Sequence, residues 1–190
     1  RWHSAAGAGV TFSLGRRIRR PVRELAALSL VAGVAATRAL RELGLHKASL
    51  KWPNDLVVDG AKLGGILVET RDKDFVVVGI GINCRHVRGL EKQARRKVAF
   101  LEQFVSVPRN EVIQKIAATL LEALDTFELR GLDALRADWE AMDAHAGQRV
   151  RVRLADGRTL SGIASGIADD GSLKLLTRSG LRAVHSGRLA

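Results

Sequence analysis

The sequence predicts an α+β fold in which a mixed sheet packs against helices and is followed by a small β-barrel. Three observations support this class. Short alternating or glycine-broken apolar runs indicate strands up to residue 83. Two longer segments carry apolar residues at three- and four-residue spacing, as the buried face of a helix does. Beyond residue 146 the chain changes to short alternating segments, so we predict domains at residues 1–146 and 147–190.

The first elements follow from local spacing. Residues 7–14 alternate apolar with small or polar side chains, which predicts a strand, and the arginine-rich residues 16–20 predict a loop. Pro21 suits the first turn of a helix, and apolar residues continue at helical spacing over residues 22–43. Gly44 is the expected stop signal. We interpret this helix as core scaffold.

The middle of the chain predicts hairpins and then two further helices. Asn110 is the expected N-cap of an amphipathic helix that ends at Gly131, and a shorter helix follows over residues 132–142. Residues 85–107 are basic and predicted to be irregular. The predicted strands of this region are 48–51, 56–58, 62–69 and 75–82.

The last part of the chain predicts a small barrel of SH3 type. Its short strands alternate apolar and polar residues, and Asp-Gly and Ser-Gly turns separate them. The predicted strands are 149–154, 159–167, 172–177 and 181–184.

Composition limits the class of protein. The 190 residues are 46% hydrophobic, which is enough for a packed core. The single cysteine, Cys84, excludes an internal disulfide and fits a reducing compartment, so we expect a cytoplasmic protein. No apolar run is long enough to span a bilayer. The chain has neither an initiator Met nor a signal peptide, so we expect it to begin inside a longer protein.

The formal net charge of +11 favours an acidic partner or a solvated basic surface. Arg149, Arg151 and Arg153 alternate with apolar residues, which is typical of the solvent face of a half-buried strand. Specific nucleic-acid binding is less favoured, because no helix-turn-helix, zinc-finger or aromatic RNA-binding signature accompanies the charge.

The stretch from Lys51 to Asn83 is unusual for core strands. Glycines interrupt its most apolar segments, where a ligand often approaches the backbone closely. Polar side chains stand at the strand ends. We therefore predict that this stretch forms one wall of a small-molecule pocket. The glycines are Gly64, Gly65, Gly79 and Gly81, and the polar residues are Lys51, Asn54, Asp55, Lys62 and Asn83.

Three motifs of this stretch closely resemble those of biotin–protein ligases. They are Lys-Trp-Pro-Asn-Asp-Leu at 51–56, Lys-Leu-Gly-Gly-Ile-Leu-Val-Glu at 62–69 and Gly-Ile-Gly-Ile-Asn at 79–83. Arg1-Trp2 is similar to the end of the family's basic glycine-rich loop, and residues 147–190 to its C-terminal SH3-like domain. The resemblance covers essentially the whole chain and implies a class II synthetase-like catalytic domain.

The resemblance implies a two-step reaction. Biotin's carboxylate attacks the α-phosphorus of Mg²⁺-bound ATP, and a lysine of a biotin carrier domain then attacks the adenylate and expels AMP. The first step brings anions together, so fixed positive charge is needed beside them. The implied partner is the carrier domain of a carboxylase.

The resemblance also implies roles for individual residues. Lys62 is the essential residue, contacting the biotin carboxylate and the α-phosphate. Asp55 has two candidate roles, orienting the acceptor lysine or its proton and helping to hold Mg²⁺-ATP. No histidine pair has the spacing of metal ligands, so no protein metal site is predicted. The implied biotin contacts are Gly65, Leu67, Gly79, Gly81 and Ile82, and the implied ATP contacts are Lys51, Asn54, Asn83 and Trp2.

Parts of the family's pattern fall outside this chain. Its glycine- and arginine-rich loop lies before the position of Arg1, so one expected outcome is a chain that folds but is inactive alone. DNA is a predicted partner only if the intact protein carries a helix-turn-helix. A homodimer is expected by analogy, with residues 75–78 as the pairing edge. No membrane contact is expected.

Two other functions stay open. A lipoate or octanoate transferase uses a related scaffold, but the Lys-Trp-Pro-Asn-Asp motif and the C-terminal barrel argue against it. The second alternative is a non-enzymatic basic binding module with an SH3-like barrel.

Overall fold

The computed structural model describes residues 7–94 and 96–189, without the side chain of residue 93. The predicted α+β class is confirmed. The first strands and helices are β1 (Gly9–Arg17), a 3-10 helix (Val22–Ala27), α1 (Leu28–Glu42), β2 (Ser49–Lys51), β3 (Asp55–Val58), β4 (Ala61–Thr70) and β5 (Phe75–Asn83). Next come α2 (Leu90–Ala94), a 3-10 turn (Leu101–Gln103), α3 (Arg109–Arg130) and α4 (Asp133–Met142). The last strands are β6 (Arg149–Arg153), β7 (Thr159–Ile167), β8 (Leu173–Thr177), β9 (Gly180–Val184) and β10 (Arg188–Leu189).

The first sheet has the strand order β1-β5-β4-β3-β2, and every neighbouring pair is antiparallel. The expected mixed sheet is therefore antiparallel in its named strands. Parallel pairing occurs among the described residues at two isolated bridges, Leu50 with Asp143 and Lys62 with Val98. α1 packs on α3 and against the sheet, so the core lies between the sheet and these helices.

A β-bulge interrupts the pairing of β3 with β4. Leu56 pairs with Gly64, but the next residue, Val57, pairs with Lys62, so Leu63 is the extra residue. In a regular strand Lys62 would share a face with Gly64. The bulge instead turns Lys62 to the opposite face and leaves both Leu63 and Gly64 buried.

The second sheet contains only the last five strands, in the order β10-β6-β7-β8-β9. All its pairs are antiparallel, and the final strand returns beside the first one, as the SH3-like prediction requires. Val150 and Val152 face inward, whereas the arginines between them face solvent. This alternation places a hydrophobic core on one side of the sheet.

Partly buried hydrogen bonds link the first part of the chain to the second sheet. The Trp52 indole Nε1 donates a hydrogen bond to the Gly171 carbonyl oxygen at 3.1 Å. The Arg136 guanidinium donates to the Ile167 carbonyl oxygen at 2.6 Å. One continuous hydrophobic cluster contains residues of both sheets, so the second sheet is packed firmly beside the Lys-Trp-Pro-Asn-Asp loop.

Three predictions about the elements are wrong in detail. Arg16 and Arg17 belong to β1 rather than to a loop, because they continue the pairing with β5. Asn110 is not the N-cap of α3; that position is Pro108, and its side chain makes no capping hydrogen bond. Residues 75–78 are not a free edge, because β5 is paired with β1 on one side and β4 on the other. Within the described ranges, no helix is long and apolar enough to cross a membrane.

Gly64→Ala is expected to lower the free energy of unfolding by about 3 kcal/mol, since overpacking a tight core forces the backbone apart. A Cβ at Gly64 would lie 2.5 Å from the Gly81 carbonyl oxygen and 2.8 Å from Ile82 Cδ1. Urea unfolding measures the change. Gly79→Ala is the matched control, since its Cβ would make an ordinary contact of 3.5 Å with Ser13. Equal stability of the two variants would contradict the prediction.

Candidate functional site

One row of residues crosses all five strands of the first sheet. Lys51 pairs with Asp55, Asp55 with Gly65, Gly65 with Gly81 and Gly81 with Thr11. Residues directly opposite in antiparallel strands project to the same face. The sheet therefore brings four of the predicted site residues into one line, on the face opposite the helices.

A second row lies beside the first. Its Gly79, together with Gly65 and Gly81, forms a patch of bare backbone that we call the glycine floor. Gly79 pairs with Leu67 on one side and with Ser13 on the other, so this row shares the face of Gly65 and Gly81. Leu67 is 62% exposed there, which is unusual for a leucine in a central strand. A patch of backbone without side chains is thus bordered by an apolar side chain, where a flat ligand could lie.

Ile82 does not belong to this floor, contrary to the prediction. It pairs with Gly64 on the helix side of the sheet and is fully buried in the core. Strand alternation accounts for the difference, because Ile82 and Gly81 project to opposite faces.

Lys62 lies at the end of the glycine floor because of the bulge. Its ammonium forms an ion pair with Asp55, and a Cβ on Gly65 would lie 3.0 Å from Nζ. Both side chains of the ion pair are 15% exposed. Burial lowers the pKa of Lys62, against the raising effect of Asp55. A partly desolvated cation therefore stands at the edge of the ligand surface.

Arg96 is the residue of this site that the sequence did not reveal. Its guanidinium contacts the second oxygen of Asp55 at 2.9 Å. Backbone hydrogen bonds hold the segment there, from Lys62 N to Lys97 O at 3.0 Å and from Ala99 N to Lys62 O at 2.9 Å. In the sequence Arg96 is one of several cations in an irregular stretch, and no pattern marks it.

The two asparagines already have structural partners. The Asn54 side-chain amide donates to the Ile66 carbonyl oxygen at 2.9 Å, and the Asn54 backbone carbonyl oxygen accepts from Ile66 N at 2.9 Å. The Asn83 side-chain amide donates to the carbonyl oxygens of Lys62, at 3.3 Å, and Ala99, at 3.4 Å. Among the described residues, neither side-chain amide oxygen has a hydrogen-bond donor, so each can accept a further bond.

Lys51 is half-buried at the β2 end of the row. Burial is the main cause of its lowered pKa, and the like charges of Arg96 and Arg188 act in the same direction. Arg188, from β10, therefore lies within electrostatic reach of the site. Trp2, the remaining predicted ATP contact, lies outside the described residues.

A half-buried acid and imidazole, Asp143 and His145, lie beside Lys51. The backbone N–H of Ala144 donates to the Leu50 carbonyl oxygen at 2.8 Å, which brings Asp143 and His145 beside β2. Asp143 Oδ2 and His145 Nδ1 are buried without a hydrogen-bond partner among the described residues. Burial raises the pKa of Asp143 and, reinforced by the Lys51 charge, lowers that of His145.

Lowering the pH from about 7.5 to about 5.5 is expected to destabilise the protein through His145. The folded pKa of His145 is depressed by burial below 6.5, so in this interval the unfolded chain binds a proton that the folded chain does not. The free energy of unfolding therefore falls with pH. Urea unfolding of His145→Phe should show a smaller loss than the wild type. His46→Phe, in an exposed loop, controls for removing an imidazole, and identical slopes for the wild type and His145→Phe would contradict the prediction.

Both parts of the chain are similar to known protein families. Residues 1–83 match the biotin/lipoate A/B protein ligase family, and residues 145–188 match the biotin protein ligase C-terminal domain. The bifunctional ligase/repressor BirA of Escherichia coli is 33% identical over 186 residues, which is 95% of this chain and 57% of BirA. A biotin–(acetyl-CoA-carboxylase) ligase of Mycobacterium tuberculosis is 35% identical over 181 residues, or 92% of this chain and 66% of that protein.

Solved structures give the same relationship. Biotin protein ligase from Aquifex aeolicus superimposes with a TM-score of 0.81 at 27% identity, covering 96% of this chain and 81% of that one. The same enzyme in complex with biotin and ATP also has a TM-score of 0.81 at 27% identity, covering 96% and 78% of the two chains. The chain spans somewhat more than half the length of the BirA proteins it matches.

Proposed function

The chain belongs to the biotin protein ligase family, and from that premise we propose that its protein activates biotin as biotinyl-adenylate and transfers it to a lysine of a biotin carrier domain. One observation carries the proposal. Lys51, Asp55, Gly65 and Gly81 stand in one row, with Lys62 turned onto the same face by the bulge. A bare floor with cations at one end suits a flat ring system that carries an acidic tail.

In the first step, the floor orients biotin and the cations hold its carboxylate. The fused rings lie over Gly65, Gly79 and Gly81, with Leu67 as the apolar border, and main-chain groups bond the ureido head. The carboxylate then points to Lys62, whose ammonium neutralises charge that gathers as the α-phosphorus is attacked. Because Lys62 is desolvated and held by Asp55, little reorganisation is needed during the reaction.

ATP is proposed to lie on the β2 side of the row. Lys51 would contact the phosphates, and the free amide oxygens of Asn54 and Asn83 would accept bonds from the nucleotide. Trp2 completes the proposed set by resemblance. Mg²⁺ enters as part of the substrate, held by the ATP phosphates, because both oxygens of Asp55 already contact cations.

In the second step, Asp55 is proposed to hold Lys62 and Arg96 in position. Each of its carboxylate oxygens already contacts a cation, Lys62 on one side and Arg96 on the other. We infer that Asp55 fixes both cations beside Gly65. Of the two candidate roles, this arrangement favours holding the nucleotide side of the site over deprotonating the acceptor lysine.

The proposed partner is the biotin carrier domain of acetyl-CoA carboxylase, as the name of the Mycobacterium tuberculosis relative indicates. DNA is proposed as a partner only if the intact protein carries a helix-turn-helix, because the BirA relatives are named repressors. A homodimer stays a proposal; its pairing edge would be the end of β4, since β3 pairs with β4 only as far as Gly65. A cytoplasmic location is proposed from the single, buried Cys84. The division at residue 146 is likewise proposed.

Two assays of the intact protein test this function. Biotin-dependent exchange of pyrophosphate into ATP reports the first step, and labelling of a purified carrier domain reports the second. Replacing biotin by lipoate or octanoate distinguishes the related transferases, whose family description residues 1–83 share. Binding of a DNA oligomer without any exchange activity would support the basic binding module instead and overturn the proposal.

A further inference from the structure

The outer face of the C-terminal sheet, formed by strands β6–β10, carries a line of exposed arginines. Arg149, Arg151 and Arg153 all project outward from β6, because the two valines between them face the core. Alternate residues of a strand lie about 6.6 Å apart. Within residues 7–94 and 96–189, none of these three side chains has an ion-pair or hydrogen-bond partner. An unpaired line of like charge does not serve the stability of the sheet.

The line of arginines continues from β6 onto β10, in the direction of Lys51 and Lys62. Arg188 of β10 is directly opposite Arg153 in the antiparallel pair, so the two project to the same face. Arg188 also lies near enough to Lys51 and Lys62 for its charge to depress the pKa of both lysines. The positive charge of β6 and β10 therefore extends toward the side of the molecule that carries Lys51 and Lys62. We name this set of arginines, 149, 151, 153 and 188, the arginine track.

An apolar row crosses the same face at its far end. Arg149 pairs with Ile163, Ile163 with Leu176, and Leu176 with Leu181. These three apolar residues are 37%, 47% and 59% exposed, respectively. Beside Ile163 on β7, Ser161 and Thr159 carry short side chains opposite Arg151 and Arg153. The face is therefore half cationic and half apolar.

We propose that this face docks the acidic surface of the biotin carrier domain through the arginine track, so that the acceptor lysine of the docked domain is presented at the site. This inference rests on the proposed function. Charge complementarity favours an acidic partner, and continuity with the site favours the acceptor over an unrelated protein. The exposed apolar row favours a protein over nucleic acid, whose phosphate backbone would gain nothing from Ile163, Leu176 and Leu181.

The test replaces the arginines of β6 by threonine, which retains the preference for a strand. For R149T/R151T/R153T we expect the KM for a purified acetyl-CoA carboxylase carrier domain to rise about tenfold, with kcat little changed, since the charges act on encounter. The salt dependence of the wild-type transfer should largely disappear in the variant. Biotin-dependent pyrophosphate exchange, which uses no carrier, should be unchanged.

A matched control removes three exposed cations outside this sheet, in R19T/K73T/R130T, which lowers the net charge equally. Its carrier KM should stay near the wild-type value. Leu176→Ser tests the apolar row and should raise the carrier KM without altering the salt dependence. If the triple variant does not fold, Leu176→Ser and the salt dependence of transfer by the wild type still test the proposal.

Three results would overturn the proposal. The first is an unchanged carrier KM in both the triple variant and Leu176→Ser, with pyrophosphate exchange intact. The second is loss of binding to a labelled DNA duplex or single strand in the triple variant while the carrier KM is unchanged, which would make the face a nucleic-acid surface. The third is an intact wild type without pyrophosphate exchange, which would reject the ligase function itself.

Discussion

Lys62→Ala in the intact protein is expected to slow adenylate formation by about 10²–10³-fold, the usual loss when one preorganised charge-stabilising group is removed. Lys62 is the cation nearest the glycine floor, and the bulge together with Asp55 and Asn83 holds it there. The loss should fall mainly on the rate at saturating biotin and ATP, since the charge matters most as the phosphorus is attacked. Biotin-dependent pyrophosphate exchange measures it.

Lys47→Ala is the matched control for this change. Lys47 is also ion-paired to an aspartate, Asp59, but its side chain is 71% exposed and it lies outside the row. Its exchange rate should remain near the wild-type rate. Because the Lys62 ion pair is partly buried, leaving Asp55 with Arg96 alone will also cost stability, so thermal unfolding must show that the variant is folded. A folded variant with near-normal exchange would refute the assignment of Lys62.

Gly79→Val should weaken biotin binding by about a hundredfold, or about 3 kcal/mol, with little loss of stability. A Cβ at Gly79 would touch Ser13 Oγ at 3.5 Å and the Leu67 carbonyl oxygen at 3.6 Å, which are ordinary contacts. The backbone therefore tolerates the side chain. The methyl groups would instead occupy the open surface above the floor, where the ring system is proposed to lie. Calorimetric titration with biotin measures the effect.

The smaller substitution Gly79→Ala should give an intermediate loss, because one methyl group covers less of the floor. Ala183→Val, exposed on the C-terminal sheet, controls for adding valine bulk to a strand. If Gly79→Val bound biotin normally and was as stable as the wild type, the glycines would be a local feature of the sheet and not a ligand surface.

The structural features that depend on a local pattern of residues could be predicted from the sequence. Helical spacing over residues 22–43 predicted α1, although its first turn is a 3-10 helix. Strand alternation and tight turns predicted four of the five strands of the second sheet nearly to the residue, and three motifs identified the family. Such features are local, so each can be read within a window of about ten residues.

The missed features depend on contacts between distant segments. Arg96 reaches Asp55 across 41 residues because backbone pairing brings residues 97–99 beside Lys62, and no local pattern encodes that pairing. The prediction put Ile82 on the same face as Gly81 because both belong to one motif, although successive residues of a strand face opposite ways. The role of Pro108 as the N-cap of α3 was missed because Asn110 has the stronger capping preference.

The site depends on how many residues β4 contains as well as on their types, because Leu63 is an extra residue in this strand. With this extra residue, two residues lie between Lys62 and Gly65, and yet both Lys62 and Gly65 project to the same face of the sheet. If the pairing became regular while Leu63 was retained, the ammonium would rotate through the sheet into the hydrophobic core, even if every polar group of the motif were retained. Homologous or engineered chains that lack the extra residue should therefore also lack the bulge, with the reverse turn at residues 59–60 left unchanged.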